Sequence, residues 1–119
     1  RVKGYLPYLG TGACDVAIVD VVWNGLPESL RIAAAAEAVE VNVAPHNFYG
    51  HVASLISAHF CAVAPNLRIM EYEADDVPWQ AEFVTQAPVV RDGELIVPAG
   101  PRWGTEVNEE AVRARPPRA

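Results

Sequence analysis

The sequence predicts an α/β fold that forms the C-terminal portion of a TIM-type barrel, about three βα units followed by a tail. Three short apolar runs predict parallel strands, and each run is followed directly by an ionisable residue. The runs are residues 16–19 before Asp20, residues 41–45 before His46, and residues 67–70 before Glu71. The two intervals, from 20 to 46 and from 46 to 71, are 26 and 25 residues. Each interval fits one strand, one helix and two short connections.

The direction of the predicted strands places the ionisable residues together. Parallel strands joined by right-handed crossovers all run the same way. We therefore expect Asp20, His46 and Glu71 at one edge of one sheet. In parallel α/β folds that edge is where ligands bind.

Composition narrows the class of protein. The chain has 119 residues, enough for one small domain, and 51% of them are hydrophobic. No apolar run reaches the roughly 18–20 residues of a membrane span. The net charge of −6 disfavours nucleic acid and anionic membranes as partners. The two cysteines form no CxxC pair, which favours a reducing compartment and predicts a cytoplasmic protein.

The first half of the chain is expected to contain two strands with one helix between them, after an N-terminal segment that is left open. Residues 1–13 are compatible with a helix or a loop packed against a barrel. The run at residues 16–19 is continuously apolar, which suits a strand covered on both faces. A turn is predicted at residues 24–25, and Pro27 suits the first turn of a helix over residues 27–39.

The second half is predicted to begin with a regular helix and to have short, irregular elements after residue 71. A helix over residues 51–64 is apolar nearly all round, so we expect it to be mostly buried. Beyond the third strand, the pattern predicts a short strand at residues 94–97 after a turn at residues 92–93. One or two helical turns are expected within residues 106–113.

These elements make a poor free-standing domain. The outer strands of a three-stranded parallel sheet have bare edges, and the apolar helix has an exposed back. A complete βα barrel typically takes about 250 residues. We therefore expect residues 1–119 to be the C-terminal part of a barrel domain that belongs to a longer chain.

Several segments together resemble a known family. The residues that carry the resemblance are 15–20, Gly25, 44–47, 65–71 and the tail at 100–108. They are similar to the C-terminal part of the enolase superfamily, in the mandelate racemase/muconate lactonizing-like branch that includes sugar-acid dehydratases. The resemblance implies an α+β capping domain followed by a (β/α)7β barrel. This chain would supply the sixth, seventh and eighth barrel strands and the tail.

The resemblance also implies roles for the strand-end residues. Asp20 and His46 would form the catalytic dyad of the sixth and seventh strands, and Glu71 would contact the substrate from the eighth. Asn47, next to His46, is a further candidate for substrate binding. The magnesium ligands and the second-strand base of the family lie upstream, so Mg²⁺ is expected only in the full-length enzyme, with no ligands from this chain.

The predicted function follows from these roles. It is a magnesium-dependent carbon–oxygen lyase, an acid-sugar dehydratase such as a gluconate or galactonate dehydratase. Such an enzyme removes the proton alpha to a carboxylate and expels the 3-hydroxyl as water. The predicted partners are a small-molecule sugar acid and, for the full-length protein, further copies of itself in a homo-oligomer. The isolated chain is expected to be inactive.

Two alternatives remain open. One is a racemase, epimerase or cycloisomerase of the same superfamily. The other is a non-catalytic fragment that folds only with a partner.

Elementary chemistry supports the dyad independently of the resemblance. Adjacent strands lie about 4.8 Å apart, so Asp20 can reach one ring nitrogen of His46. The carboxylate would fix the tautomer, orient the ring and stabilise the imidazolium. Glu71 could bond a substrate carboxylate only if it were protonated or shared a proton, since a bare carboxylate would repel it.

The remaining polar and aromatic residues have simpler interpretations. Two histidines, two aromatic residues after His46 and three tryptophans are predicted to pack or to lie at an interface. They are His51, His59, Phe48, Tyr49, Trp23, Trp79 and Trp103. A zinc site that combines His46, His51, His59 and Glu71 is conceivable, but the sequence lacks an HExxH-like spacing.

Overall fold

The computed structural model describes residues 1–74 and 77–116. The α/β class predicted from the sequence is confirmed. The helices are α1 (Val2–Leu9), α2 (Val21–Asn24), α3 (Leu26–Glu37), α4 (His51–Val63) and α5 (Glu109–Ala114), with a 3₁₀ helix at Gln80–Phe83. The strands are β1 (Val16–Asp20), β2 (Asn42–His46), β3 (Val89–Arg91) and β4 (Glu94–Ile96).

The first two predicted strands form a parallel pair. β1 and β2 lie in register from Val16 opposite Asn42 to Asp20 opposite His46. The helix α3 connects them in the crossover that a βα unit requires. The two C-terminal residues of the pair are therefore the two ionisable residues that end the apolar runs.

The third predicted strand is only partly formed. Residues 67–71 run parallel to β2 through one bridge between Val43 and Leu67. The N–H groups of Arg68 and Glu71 donate to the carbonyls of Val43 and Pro45, at 2.9 and 3.2 Å. The third strand is thus present in its predicted parallel direction but is shorter than the predicted range. Pro45 has no N–H, so β2 lacks the donor that would continue the ladder beyond Val43.

One face of the β1–β2 pair is packed against helices. Ala17, Val19 and Val43 are buried on it, and Ile32 of α3 and Phe60 of α4 are fully buried in the same cluster. Small side chains of α3 allow the helix to lie close to the sheet. Burial of apolar area at about 25 cal/mol per Å² makes this cluster the main stabilising contact of the chain.

The opposite face of the pair is open. Val16 and Ile18 are 39% and 64% exposed, so burial alternates along β1. The prediction that β1 is covered on both faces was therefore wrong for the described part of the chain. Within residues 1–74 and 77–116, no element covers the face that a closed barrel turns toward its interior.

The helix α4 is buried or half-buried at residues 51–61 and exposed at its C-terminal end. Leu55, Ala58 and Phe60 are buried, whereas Val63 is 62% exposed. Its range agrees with the predicted helix to within one residue at the C-terminus. The prediction that this helix is mostly buried is confirmed, and the exposed back expected for it is limited to residues 62–63.

Three short elements were not predicted: the 3₁₀ helix at Gln80–Phe83, α2 and β3. The single turn α2 follows β1 directly, with Asp20 as its N-cap. The strand β3 pairs with β4 in an antiparallel hairpin around the predicted turn at residues 92–93. The predicted strand at residues 94–97 is β4, and the predicted last helical turns are α5, which Asn108 caps. Among the described residues, no helix is long and apolar enough to cross a membrane.

Candidate active site

Asp20 and His46 meet at the C-terminal ends of β1 and β2. They are opposite each other in the parallel register. The distance from Asp20 Oδ2 to His46 Nδ1 is 2.9 Å, a hydrogen bond. The contact expected between the two strand-end residues is therefore present, although its catalytic role remains a prediction.

Both oxygens of the Asp20 carboxylate accept hydrogen bonds. The backbone N–H of Trp23 donates to Oδ1 at 2.7 Å, because Asp20 caps the short helix α2. The hydroxyl of Tyr49 donates to Oδ2 at 2.5 Å, beside the His46 contact. Burial favours the neutral carboxyl, but the donors Tyr49, Trp23 and His46 together lower the pKa of Asp20. The group is therefore an anion at neutral pH.

Tyr49 belongs to this cluster, contrary to its predicted role as a packing residue. Its ring also lies edge-on to the His46 ring, with centroids 5.7 Å apart and an interplanar angle of 81°. The hydrogen bond to Asp20 raises the pKa of the Tyr49 phenol. The only signal in the sequence was its position three residues after His46, in the connection that leaves the sheet edge. Phe48, predicted to pack in the same way, is 55% exposed.

The His46 ring has one occupied and one available nitrogen. Since Asp20 is an anion, Nδ1 carries the proton in their hydrogen bond. Nε2 lies 3.8 Å from Glu71 Oε2, beyond hydrogen-bond distance, and the side chain is 43% exposed. Nε2 can therefore exchange a proton with a group on the open face of the sheet.

Glu71 lies at the same edge and is held by the backbone. Its Oε2 accepts the N–H of Asn47 at 2.9 Å, and its side chain is 48% exposed. All three strand-end residues are thus brought together, with His46 between the two carboxylates. A ring flanked by two acids is suited to general acid–base chemistry.

The side chain of Asn47 is turned toward α4. It is fully buried and donates to Ser54 Oγ at 3.1 Å and to the Glu71 carbonyl at 3.2 Å. Its Oδ1 has no hydrogen-bond partner within residues 1–74 and 77–116. Direct contact of Asn47 with substrate stays a prediction. The observed contacts give the residue a part in fixing Glu71.

Other candidates lie away from this cluster. Burial lowers the pKa of His51, and the His59 ring packs 5.5 Å from the Trp103 ring. Trp23 is 82% exposed at the edge of the site, so it is not a core residue of the described chain, and its alternative place at an interface stays a prediction. No three His, Cys, Asp or Glu side chains are grouped to hold a metal ion in the ranges that the structure describes.

Comparison with known proteins identifies the family. The family described as "Enolase C-terminal domain-like" matches residues 1–111. A curated relative from Thermoproteus tenax, named D-gluconate dehydratase, is 35% identical over 119 residues, which are 96% of this chain and 24% of that protein. A D-xylonate dehydratase of Haloferax volcanii is 28% identical over 91 residues, 76% of this chain and 22% of that protein.

A solved structure is still more similar. It is a Burkholderia xenovorans strain LB400 protein provisionally assigned as an L-alanine-DL-glutamate epimerase, with 51% identity and a TM-score of 0.95. The match covers 98% of this chain and 30% of that protein. The same protein has also been solved with magnesium and fumarate bound. The chain spans about a quarter of the length of the curated relatives that it matches.

Proposed function

Because the chain belongs to the enolase C-terminal domain-like family, we propose that it is the C-terminal part of the barrel of a longer enzyme, an acid-sugar dehydratase. The homologous dehydratases and the epimerase place the family among lyases and isomerases. The proposal goes beyond these enzyme classes by naming the reaction and the residues of this chain that would catalyse it.

One observation carries the proposal. The ring of His46 is bonded to the Asp20 anion on one side and faces the open sheet edge with its other nitrogen, near Glu71. A histidine that is oriented by a carboxylate and has one free nitrogen is equipped to move a proton. The edge where it lies is the ligand-binding edge of parallel α/β folds.

The proposed reaction uses His46 as an acid. A base outside this chain takes the proton alpha to the carboxylate and leaves an enediolate, whose extra negative charge needs donors and positive charge nearby. Protonated His46 then gives its Nε2 proton to the 3-hydroxyl oxygen as the carbon–oxygen bond breaks. The group leaves as water, and neutral His46 keeps its Nδ1 proton on the side of Asp20.

Asp20 and Glu71 support this step in different ways. The Asp20 anion stabilises the imidazolium by hydrogen bonding and keeps Nε2 directed at the open face. Glu71, held by the Asn47 N–H, would bond the substrate carboxylate when the two share a proton. The substrate class in this proposal is a small sugar acid, because its carboxylate and 3-hydroxyl are the groups that these residues serve.

A magnesium ion would have to be held by other residues. The described ranges contain no group of three suitable side chains, and in this proposal the ligands lie elsewhere in the full-length enzyme. In the family a bound Mg²⁺ would supply positive charge to the enediolate. The proposed roles of His46 and Asp20 do not pass through the metal.

A second candidate is supported by a specific likeness. The Burkholderia protein with 51% identity carries an epimerase name. In an epimerase, His46 would exchange the alpha proton on one face of the substrate, and no carbon–oxygen bond would break. Proton exchange without loss of water would identify this reaction.

The test is turnover by the full-length protein. We expect purified enzyme with Mg²⁺ to convert one or more sugar acids to 2-keto-3-deoxy acids, measured by release of the keto product. His46→Asn and Asp20→Asn should each lower kcat by about 10²- to 10⁴-fold, the usual contribution of general acid–base catalysis. Arg31→Gln, on the exposed side of α3, is the control that should keep wild-type turnover.

Two results would contradict the proposal. Wild-type turnover by His46→Asn would remove the acid from the mechanism. Alpha-proton exchange in deuterium oxide with no keto product, across a set of sugar acids and amino-acid derivatives, would favour the epimerase.

A further inference from the structure

We propose that Tyr49 is a positioning residue for the reaction, which holds the Asp20 carboxylate in place and thereby fixes the His46 ring. This inference rests on the proposed function for its kinetic consequences only. The contact network that it describes can be tested without turnover.

Tyr49 contacts the Asp20–His46 dyad directly through a hydrogen bond. Its hydroxyl and His46 Nδ1 share the same oxygen, Asp20 Oδ2, at 2.5 and 2.9 Å. The other oxygen, Oδ1, is fixed by the Trp23 N–H at 2.7 Å. A carboxylate with donors on both oxygens cannot rotate freely, so the histidine always meets the same acceptor geometry.

A second contact links Tyr49 to the ring itself. The Tyr49 and His46 rings lie edge to face, at 5.7 Å and 81°. Aromatic pairs prefer this arrangement to a parallel sandwich. The ring of Tyr49 therefore restrains the plane of His46, while its hydroxyl restrains the acceptor.

The hydrogen bond also has an electrostatic effect. A donor that bonds the ionised carboxylate stabilises the anion, and Tyr49 is the largest of the contributions that lower the pKa of Asp20 against burial. The other ionisable groups around Asp20 are His46 and, more distant in effect, Tyr5, whose hydroxyl bonds the Ile18 carbonyl. Glu71 acts weakly on Tyr49. None of these replaces the Tyr49 donor.

The experiment removes the hydroxyl alone. In the full-length protein, Tyr49→Phe should raise the pKa of Asp20 toward the ordinary value of an aspartate, because one donor to the anion is lost. The readout is the pH titration of the Asp20 carboxyl carbon by ¹³C NMR, assigned with Asp20→Asn. For the active enzyme, the acid limb of kcat/KM should move upward with it.

Kinetics separate positioning from substrate contact. A positioning residue acts on the transition state through Asp20, so Tyr49→Phe should lower kcat several-fold with KM within about twofold. Tyr8→Phe, which removes a hydroxyl from a side chain that is 70% exposed, is the matched control and should leave both the titration and the kinetics unchanged.

A second variant should shift the pKa of Asp20 in the opposite direction. Replacing Tyr49 with 3-fluorotyrosine makes the phenol a stronger donor, so the pKa of Asp20 should fall below that of the wild type. A purely structural hydroxyl would not give opposite shifts in the two variants. This variant keeps the size of the side chain and remains informative if Tyr49→Phe fails to fold.

The inference is overturned if Asp20 titrates identically in the wild type and both variants. It is also overturned if Tyr49→Phe raises KM at least tenfold with kcat unchanged, because Tyr49 would then bind substrate directly. If no sugar acid is turned over but the Asp20 titration shifts as described, the proposed function fails and the positioning role of Tyr49 stands.

Discussion

At the scale of single residues, the Asp20 side chain joins the three main parts of the site. It caps α2, accepts a hydrogen bond from the Tyr49 hydroxyl and orients the His46 ring. These contacts are made by the charged form, so they couple the ionisation of Asp20 to the stability of the fold. The coupling has a definite sign, which can be measured.

Asp20→Asn should change the acid stability of the full-length protein. Because the pKa of Asp20 is lower in the folded state, its charge stabilises the fold at neutral pH. That contribution is complete above the ordinary pKa of about 4, and it is lost as pH falls through the lowered value. We therefore expect the stability difference between the wild type and Asp20→Asn to shrink as pH falls below about 4.

Urea denaturation at a series of pH values measures this difference. Asp15→Asn, on an exposed residue just before β1, is the control and should show no such convergence. A constant difference between the wild type and Asp20→Asn from pH 7 to pH 3 would contradict the lowered pKa of Asp20.

The spacing of the apolar runs predicted which residues would meet, for a simple reason. Asp20 and His46 end neighbouring parallel strands, and the strand period alone puts them opposite each other. Tyr49 lies in the connection after β2, where the backbone path depends on tertiary packing and not on a local period. Its side chain therefore could not be placed from the sequence, nor could the inward turn of the Asn47 side chain.

At the scale of secondary-structure elements, one asparagine joins three of them. Asn66 precedes the third strand segment, and its Nδ2 donates to the Ala33 carbonyl of α3 at 3.0 Å and to the Val41 carbonyl at 2.8 Å. The Asn66 carbonyl itself accepts the Val43 N–H of β2 at 2.9 Å. The residue thus fixes the third segment against a helix and a strand through both its side chain and its backbone.

Asn66→Ala should destabilise the full-length protein by about 1–3 kcal/mol, because two carbonyls lose their side-chain donor. Thermal or urea unfolding measures the change. Asn42→Ala, at the start of β2, is the matched control: within the described residues no hydrogen bond reaches its side chain, so a loss below about 0.5 kcal/mol is expected. Equal losses of unfolding free energy in the two variants would show that the Asn66 side-chain hydrogen bonds do not stabilise the fold.

The two long helices were predictable because their signals are local. The helix α4 is a nearly continuous apolar run of helical length, and α3 has a proline in its first turn. The turn α2 exists because the Asp20 side chain accepts from Trp23, and the three-residue β3 exists only through its pairing with β4. Elements of that length depend on partners, which single-sequence patterns do not contain.

At the scale of the whole molecule, the described fold is more open than a complete domain of its length. The radius of gyration is 15.7 Å, whereas a compact chain of this size is expected near about 13.5 Å. The accessible surface is 8018 Å², against roughly 6300 Å² for a folded monomer of this mass. Apolar side chains supply part of the excess, among them Ile18, Val63 and Ile69. The structure therefore has the proportions of a barrel segment.

We expect the isolated 119-residue chain to associate or to remain partly folded, and to show no turnover of sugar acids. The edge of β1 and the face that carries Val16 and Ile18 would be exposed to water, where they favour pairing with another chain. Sedimentation velocity and amide hydrogen exchange measure both properties. Asp substitution of Ile18, on the open face, should reduce association more than Asp substitution of Val39, which is 46% exposed after α3.

A well-folded monomer would contradict this expectation. Such a monomer would sediment independently of concentration, and the amides of β1, β2 and residues 67–71 would exchange slowly. The buried cluster around Ile32 and Phe60 would then be sufficient to stabilise the two βα units on its own. The open face would have to be explained as a surface of a self-sufficient fold, and the proposal that this chain is one part of a longer barrel would be wrong.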